Sequence, residues 1–300
     1  MGAETWFFLA GIVVSLLLID LLVIHRKASV MSTRRAAVES AVWISVGLLF
    51  SLYVLAAFGA SSSGEYLSAY LIEKSLSIDN VFVWSVILTH YRVPEQFQHR
   101  VLFWGIFGAL AMRFAFIFAG VAVIQKFDFT LVLFGAFLVY TGAQLFKGDS
   151  DFDPSKSRPM ALFHRFVPST DELDGQKLIT VCNGRRLATP LLAVLVLIEV
   201  TDVIFAVDSV PAVLAISHEQ FIAFSSNAFA ILGLRALYFL LKGLLDKLIY
   251  LSLGLSIILM FIGVKLIMTY VHEIWYEVPK IPTVVSLMVI ALILIVSTVA

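Results

Sequence analysis

The sequence predicts an all-α membrane protein with about nine transmembrane helices. Of its 300 residues, 60% are apolar and only 14% are charged, which is too little polar surface to cover a soluble globule of this size. The apolar residues are grouped in runs of about 20, the length that a helix needs to cross the hydrocarbon core. We therefore expect one polytopic membrane domain over residues 1–300, with the lipid bilayer as its solvent.

Nine apolar runs are the predicted spans. The first has no basic residues in front of it and no small-residue cleavage site behind it, so we expect it to be retained as a helix. A proline at position 211 predicts a break in the sixth span, which would free backbone carbonyl groups. The predicted spans are residues 6–24, 38–58, 66–88, 101–124, 129–146, 189–216, 220–241, 248–271 and 283–300.

Basic residues are divided unevenly between the connections, and this asymmetry predicts the orientation. The connection at 147–188 carries seven Lys or Arg residues, whereas the loops on the opposite side hold only Lys126 and Lys280. Connections rich in Lys and Arg stay in the cytoplasm. We expect 147–188 to be a cytoplasmic connecting loop, with the N-terminus outside and the C-terminus in the cytoplasm.

Two polar motifs interrupt the apolar spans and resemble each other. EKSLSIDNVF at 73–82 and DVIFAVDSVP at 202–211 each place an acid six residues before an aspartate. The match continues into the helices that follow. The aligned pairs are Glu73 with Asp202, Asp79 with Asp208, Asn80 with Ser209, Gly105 with Asn227, Arg113 with Arg235, and Gly142 with Gly263.

Spans 3–5 and spans 6–8 are therefore predicted to be two copies of one three-helix unit. The first copy starts outside and the second starts inside, so the repeat is inverted. Many secondary transporters have this plan, with their sites near the membrane midplane. The alternative is chance similarity between apolar helices, and the matched spacing of polar residues argues against it.

Acidic residues inside these spans are candidates for a metal site. A charge at mid-membrane costs at least ~2.5–3.5 kcal/mol on insertion scales, so each acid implies a partner or a bound cation. The spans contain no cysteine, and the oxygens of carboxylates, amides and hydroxyls suit hard ions such as Mn²⁺, Mg²⁺ or Ca²⁺. The candidate metal ligands are Glu73, Asp79, Asn80, Glu199, Asp202, Asp208 and Ser209.

Basic residues inside the spans are candidates for structural or gating ion pairs with these acids. Even if every base paired, at least one acid would have to be protonated or balanced by a bound cation. For any one acid, pairing that only joins two helices is the structural alternative. The intramembrane bases are Lys74, Arg113, Arg235 and Lys265.

The two motifs also carry a resemblance to a known family. Extended to EKSLSIDNVFVW and EVTDVIFAVDSVPA, and taken with the arginines of the following helices, they resemble the TerC family of bacterial integral membrane proteins. The resemblance covers most of the chain. It implies a nine-helix protein of the bacterial inner membrane, kinship with cation exporters built from inverted repeats, and an association with tellurite-resistance gene clusters. The motifs resemble those of one branch of the family in particular, and for that branch the resemblance also implies Mn²⁺ export.

The predicted function is a secondary transporter that exports a divalent cation, with Mn²⁺ first, in exchange for protons. The expected partners are the metal ion, protons and the bilayer. No tightly bound cofactor is expected, and the zero net charge gives no case for nucleic acid. Two alternatives stay open: an oxyanion (tellurite) transporter that uses Arg113 and Arg235, and a non-transporting scaffold for protein metallation or assembly. Enzymatic activity is not expected. The enzyme alternative is an intramembrane protease with two aspartates, but no motif pairs them on facing helices in the way of such proteases, and the sequence has no nucleotide-binding loop for an ATP-driven pump.

Overall fold

The described residues form nine helices and one hairpin of two strands. The computed structural model describes residues 2–20, 32–127, 129–147, 167–170, 172–182, 184–242, 250–274, 279 and 281–299. The helices are α1 (Ala3–Ile19), α2 (Thr33–His90), α3 (Glu95–Lys126), α4 (Thr130–Lys147), α5 (Pro190–Leu214), α6 (Gln220–Leu232), α7 (Leu234–Leu241), α8 (Leu251–Ile274) and α9 (Thr283–Val299). The strands β1 (Ile179–Cys182) and β2 (Arg185–Ala188) pair antiparallel.

The helical membrane architecture is confirmed by length and composition. Within the described ranges, four helices are long and apolar enough to cross a bilayer, and the bent pair α6 and α7 makes a possible fifth span. Helices α1, α4 and α9 contain shorter apolar segments. Leu292 and Ile295 of α9 are each 62% exposed, as expected for side chains that face lipid.

Helix α2 contains the second and third predicted spans, folded back on each other. Gly59 lies between them with φ +87° and ψ 177°, in a region of backbone conformation that favours glycine. The hydroxyl of Ser63 donates to the carbonyl of Ser51 at 3.1 Å. The hydroxyl of Tyr66 donates to the carbonyl of Gly47 at 3.0 Å. These bonds pair residues on either side of Gly59, so the two segments are antiparallel.

The break expected at Pro211 is absent, and that prediction is wrong. Helix α5 continues through Pro211 to Leu214. Because Pro211 lies in the last turn, it removes one backbone hydrogen bond without interrupting a long stretch of helix. A break occurs instead in the predicted seventh span. There α6 and α7 meet at Gly233 with a bend of 43°.

Helices α4 and α8 pack so closely that backbone meets backbone. A Cβ added to Gly135 would lie 2.7 Å from the carbonyl oxygen of Gly263, and one added to Gly263 would lie 2.6 Å from the carbonyl oxygen of Gly135. One added to Gly142 would lie 2.8 Å from the carbonyl oxygen of Ser256. Small residues at facing positions allow this approach, which strengthens van der Waals contact between helices in lipid.

The centre of the bundle is formed by α2, α3, α5 and α6. Helix α2 packs on α5, α6 and α7, while α3 packs on α5 and α6. One buried cluster includes Trp84 and Leu197, and a second includes Ile72 and Val210. Both clusters contain residues of α2 and α5. These helices carry the two polar motifs, so the motifs lie inside the bundle.

The connection between α4 and α5 has more structure than the sequence analysis assigned to it. The strands β1 and β2 lie within it, and Cys182 at the end of β1 is exposed. The hydroxyl of Thr189 donates to the carbonyl of Lys177 at 2.7 Å, which ties the connection to the start of α5. Residues 148–166 of the predicted connecting loop lie outside the described residues.

Candidate cation site

Arg113 of α3 lies at the centre of the candidate site and binds an acid from each motif. Its Nη1 donates to Oε2 of Glu73 on α2, and its Nη2 donates to Oδ1 of Asp202 on α5 at 3.3 Å. The three side chains are at most 2% exposed. One guanidinium therefore joins three helices through charge-assisted hydrogen bonds.

Asn80 contributes an amide to the same group. With its oxygen turned toward α3, the side chain of Asn80 accepts from Nη2 of Arg113 at 3.2 Å, and its Nδ2 donates to the carbonyl of Leu76 at 3.2 Å. Glu73, Ser77 and Asn80 are spaced by four and then three residues, so they share one face of α2. That face is turned toward Arg113.

Glu199 lies on α5, one turn before Asp202, and its carboxyl group rests against the backbone of α3. A Cβ added to Gly108 would overlap the carboxyl group of Glu199. Gly108 thus provides the space that this carboxyl group fills. We call Glu73, Asn80, Arg113, Glu199 and Asp202 the Arg113 cluster.

Several buried oxygens in and beside the Arg113 cluster have no hydrogen-bond partner among the described residues. They are Oε2 of Glu199, Oδ2 of Asp202 and the hydroxyl oxygen of Ser77. Ser209 lies seven residues after Asp202 on the same face of α5, and its hydroxyl group interacts with the carboxyl group of Glu73. Buried polar atoms in native proteins are nearly always hydrogen-bonded. These oxygens are therefore available to take up protons or to coordinate a cation.

Two candidate ligands have side chains outside the described part of the structure. The backbone of Asp79 is helical in α2 and that of Asp208 is helical in α5, but their side chains are not described. Among the described residues, no group of three or more His, Cys, Asp or Glu side chains is arranged to hold a metal ion. Their aligned positions on α2 and α5 leave both aspartates as predicted ligands.

A profile of known proteins matches most of the chain, residues 58–300, and both motifs lie within the match. The chain belongs to the integral membrane protein TerC family. It is 46% identical over 287 residues to an uncharacterized membrane protein of Myxococcus xanthus, covering 95% of this chain and 88% of the relative. It is 41% identical over 278 residues to Alx of Escherichia coli (strain K12), named as a candidate membrane-bound redox modulator, covering 89% of this chain and 87% of that relative. No solved structure matches the chain.

The two lysines predicted for ion pairs in this TerC family protein have different surroundings. Nζ of Lys74 donates to the carbonyl of Ala230 at 3.1 Å, close to the break between α6 and α7. A cation at this position stabilises the carbonyl end of a helix. Lys265 is 7% exposed on α8, where the negative charge of Glu65 acts on it.

Arg235, the aligned partner of Arg113, binds an acid of the first predicted span that was not among the candidate metal ligands. Its Nη2 donates to Oδ1 of Asp20, the residue after α1, and both side chains are buried. The charges of Glu39 and Arg35 at the start of α2 also act on Arg235. The signal for Asp20 was its place inside the first predicted span, where an acid needs a partner.

Proposed function

We propose that this TerC family protein is a secondary transporter that exports a divalent cation, with Mn²⁺ as first candidate, in exchange for protons. The supporting observation is the charge balance of the Arg113 cluster, which holds three described carboxylates, those of Glu73, Glu199 and Asp202, and one guanidinium. Arg113 can balance one negative charge. The other two acids must be protonated or balanced by a bound cation. A group of this kind can exchange protons for metal.

The ligand chemistry favours a hard cation. The unpartnered atoms are carboxylate and hydroxyl oxygens, which suit Mn²⁺, Mg²⁺ and Ca²⁺. Cys182, the one cysteine of the sequence, is exposed on β1 and not in a membrane helix. A soft ion such as Cu⁺ would find no thiolate among the helices, so Mn²⁺ fits the group better.

Arg113 serves in this proposal as an internal counter-ion. Its guanidinium contacts both Glu73 and Asp202, the two acids that a divalent cation would share. When the cation binds, it takes over these carboxylates and the guanidinium withdraws. When the cation leaves, Arg113 and protons restore neutrality. Competition of this kind keeps the buried acids compensated at every stage.

We infer that spans 3–5 and 6–8 form an inverted repeat, and the packing of α4 on α8 supports this. The alignment that pairs Gly142 with Gly263 also pairs Gly135 with Ser256. When the two units are swapped, Gly135 takes the place of Ser256 and Gly263 takes the place of Gly142. The contact between Gly135 and Gly263 thus maps onto the contact between Ser256 and Gly142, and the structure contains both. Such an exchange is what a two-fold axis in the membrane plane would produce.

We propose a bacterial inner membrane location with the N-terminus outside and the C-terminus in the cytoplasm. The seven basic residues of 147–188 support this orientation, because such connections are retained in the cytoplasm. The relatives in Myxococcus and Escherichia are named as a membrane protein and as membrane-bound.

The oxyanion alternative is less well supported. Arg113 is bound by Glu73 and Asp202, and Arg235 is bound by Asp20. An entering oxyanion would have to displace a carboxylate from a guanidinium while surplus acids stay nearby. The redox role in the name of Alx would also lack a pair of thiols here, because the sequence holds one cysteine.

The test is Mn²⁺ flux in vesicles that contain the purified full chain. Asp79→Asn and Asp208→Asn should each abolish Mn²⁺-for-proton exchange, with normal insertion. Asn keeps the size and one oxygen but removes the charge and the proton-binding group. Asp174→Asn is the control. Asp174 is 42% exposed in the connection between α4 and α5 and should leave the flux unchanged.

Two results would contradict the proposal. Wild-type flux in correctly inserted Asp79→Asn and Asp208→Asn proteins would make these acids structural, and the scaffold alternative would then lead. Tellurite flux without Mn²⁺ flux in the wild-type protein would favour the oxyanion transporter.

A further inference from the structure

The hairpin of β1 and β2 leaves aliphatic side chains uncovered on one of its faces. Successive residues of a strand point to opposite sides of a sheet. Thr180 is buried on one side, where its hydroxyl donates to Oδ2 of Asp174 at 2.7 Å. On the other side, Ile179 and Val181 are 53% and 65% exposed. Two β-branched side chains of the same face are therefore open to the surroundings.

The hairpin also carries positive charge without a matching acid. Arg186 is the cross-strand partner of Val181 and lies on the same side, while Arg185 begins β2 beside the turn. Both arginines are exposed, and neither makes an ion pair among the described residues. Residues 179–188 contain no Asp or Glu. Asp174, which precedes β1, is already bound to Lys177 at 2.9 Å.

The base of the hairpin is fixed to the end of a membrane helix. Only Thr189 separates β2 from α5, and its backbone N–H donates to the carbonyl of Leu178 at 3.0 Å. Leu178 packs against one of the buried clusters of the bundle. Helix α5 has a side that faces lipid, since Ile204 is 56% exposed.

The length of α5 brings the hairpin close to the membrane surface. Its 25 residues span about 37 Å, slightly more than the ~30 Å of the hydrocarbon core. The first residues of α5 therefore lie near the lipid headgroups. A strand of four residues is only about 13 Å long, so the rest of the hairpin remains close to them.

We propose that Ile179, Val181, Arg185 and Arg186, which we call the hairpin surface, bind the anionic phospholipid headgroups of the surrounding bilayer. The arginines donate charge-assisted hydrogen bonds to phosphate oxygens, and the aliphatic side chains lie between the headgroups. This contact holds the connection between α4 and α5 on the membrane beside the start of α5. The inference goes beyond the proposed transport function and does not depend on it.

The test uses the natural thiol at the end of β1. Cys182 is exposed and is the only cysteine of the sequence, so a fluorophore can be attached to it in the full chain. The labelled protein is placed in nanodiscs of phosphatidylcholine, alone or with phosphatidylglycerol, that contain a lipid with a quenching nitroxide on its headgroup. We expect quenching at low salt to be about threefold stronger in the anionic nanodiscs. High salt should remove this difference, because it screens the attraction.

Three variants distinguish the hairpin surface from a general effect of charge. Arg185→Gln combined with Arg186→Gln should abolish the difference between the two lipid compositions. Arg186→Gln alone should reduce it by about half or more. Lys177→Gln is the matched control, because it also removes one positive charge from the connection, but from a side chain that is already bound to Asp174. It should keep the wild-type difference. The substituted side chains are exposed, so we expect the Tm of each variant to equal that of the wild type.

The outcomes that would overturn the inference are specific. Equal quenching of the wild type in neutral and anionic nanodiscs is one, and an unchanged difference in the double arginine variant is another. An equal loss in Lys177→Gln and Arg186→Gln would show that only net charge matters. If inorganic phosphate abolished the quenching at constant ionic strength, the arginines would recognise a free anion and the assignment to lipid would be wrong. Mn²⁺ flux enters none of these measurements, so they leave the proposed function untouched.

Discussion

Arg113 illustrates how a single buried base can compensate acids from two membrane helices. Its guanidinium is 1% exposed and meets Glu73 and Asp202 in the same buried space. A buried ion pair contributes little net stability, but loss of one partner costs about 3–5 kcal/mol because a charge is left uncompensated. Removal of Arg113 would strand carboxylates from both motifs. Arg113 therefore allows the helices to bury the carboxylates of Glu73 and Asp202 close together.

Gly108→Ala is predicted to disturb the site without changing any charged residue. The added methyl group would overlap the carboxyl group of Glu199, so that side chain must move away from α3. We expect the rate of Mn²⁺ flux in vesicles to fall about tenfold or more, the scale on which displaced polar groups affect metal sites.

The control for Gly108→Ala is Gly11→Ala in α1. A Cβ at Gly11 meets nothing within 4 Å, so flux should stay at the wild-type rate. The double variant Gly108→Ala with Glu199→Asp shortens the displaced side chain and should recover part of the flux. An unimpaired Gly108→Ala protein would show that the position of Glu199 does not matter for transport.

Contacts between whole helices depend on glycine in the same way. In α8, Gly263 faces the carbonyl oxygen of Gly135, whereas Gly254 faces the side chain of Ser297 on α9. A backbone carbonyl in a helix cannot turn aside when a methyl group is added, and neither can the Cβ of Ser297, which would lie 2.6 Å from a Cβ at Gly254. These two glycines of one helix therefore test the close packing of α8 against α4 and against α9 separately.

Gly263→Ala should destabilise the protein by about 1–3 kcal/mol, the usual cost of overpacking. Gly254→Ala should also destabilise the protein, and Ser297→Gly should relieve the effect of Gly254→Ala alone, because it removes the Cβ that the added methyl group meets. Unfolding of the purified protein in mixed micelles with a denaturing detergent would measure both. Equal stability of Gly263→Ala and the wild type would mean that α4 and α8 separate easily.

The helices could be predicted from sequence because lipid imposes one rule on all of them: backbone groups must bond within the segment. The positions of the helix breaks could not be predicted from this rule. Pro211 falls in a last turn where the helix tolerates it, while Gly233 breaks α6 from α7 and leaves the carbonyl of Ala230 to Lys74. The strands of the connection were missed because β1 and β2 are four residues each, too short for a periodic pattern.

The members of the candidate site were visible in the sequence, but their partners were not. A charged residue within an apolar span can be recognised from the sequence alone, as Glu73 and Arg113 can. Which acid meets which base depends on helix packing. Arg113 meets both aligned acids, whereas Arg235 meets Asp20 outside the aligned motifs.

At the scale of the whole molecule, the natural cysteine tests the orientation in the membrane. Cys182 is the only cysteine of the sequence and is exposed in the connection between α4 and α5. A thiol reagent that cannot cross membranes should label it in inside-out vesicles and not in intact cells, because we expect that connection to be cytoplasmic.

A cysteine on the opposite side serves as the control for this labelling. Ser61→Cys in a Cys182→Ala background places an exposed thiol beside the turn at Gly59 and should react in intact cells. Labelling of Cys182 from outside would reverse the proposed orientation.

Two successive residues of α2 contact two different helices. Glu73 binds Arg113 on α3, while Lys74 binds the last turn of α6, just before Gly233. Neighbouring side chains on a helix are separated by about 100° and move as one rigid body. A turn of α2 that carried Glu73 away from Arg113 would also withdraw Lys74 from the joint between α6 and α7. Helix α2 therefore couples the ion pair between Glu73 and Arg113 to the contact beside the bend at Gly233.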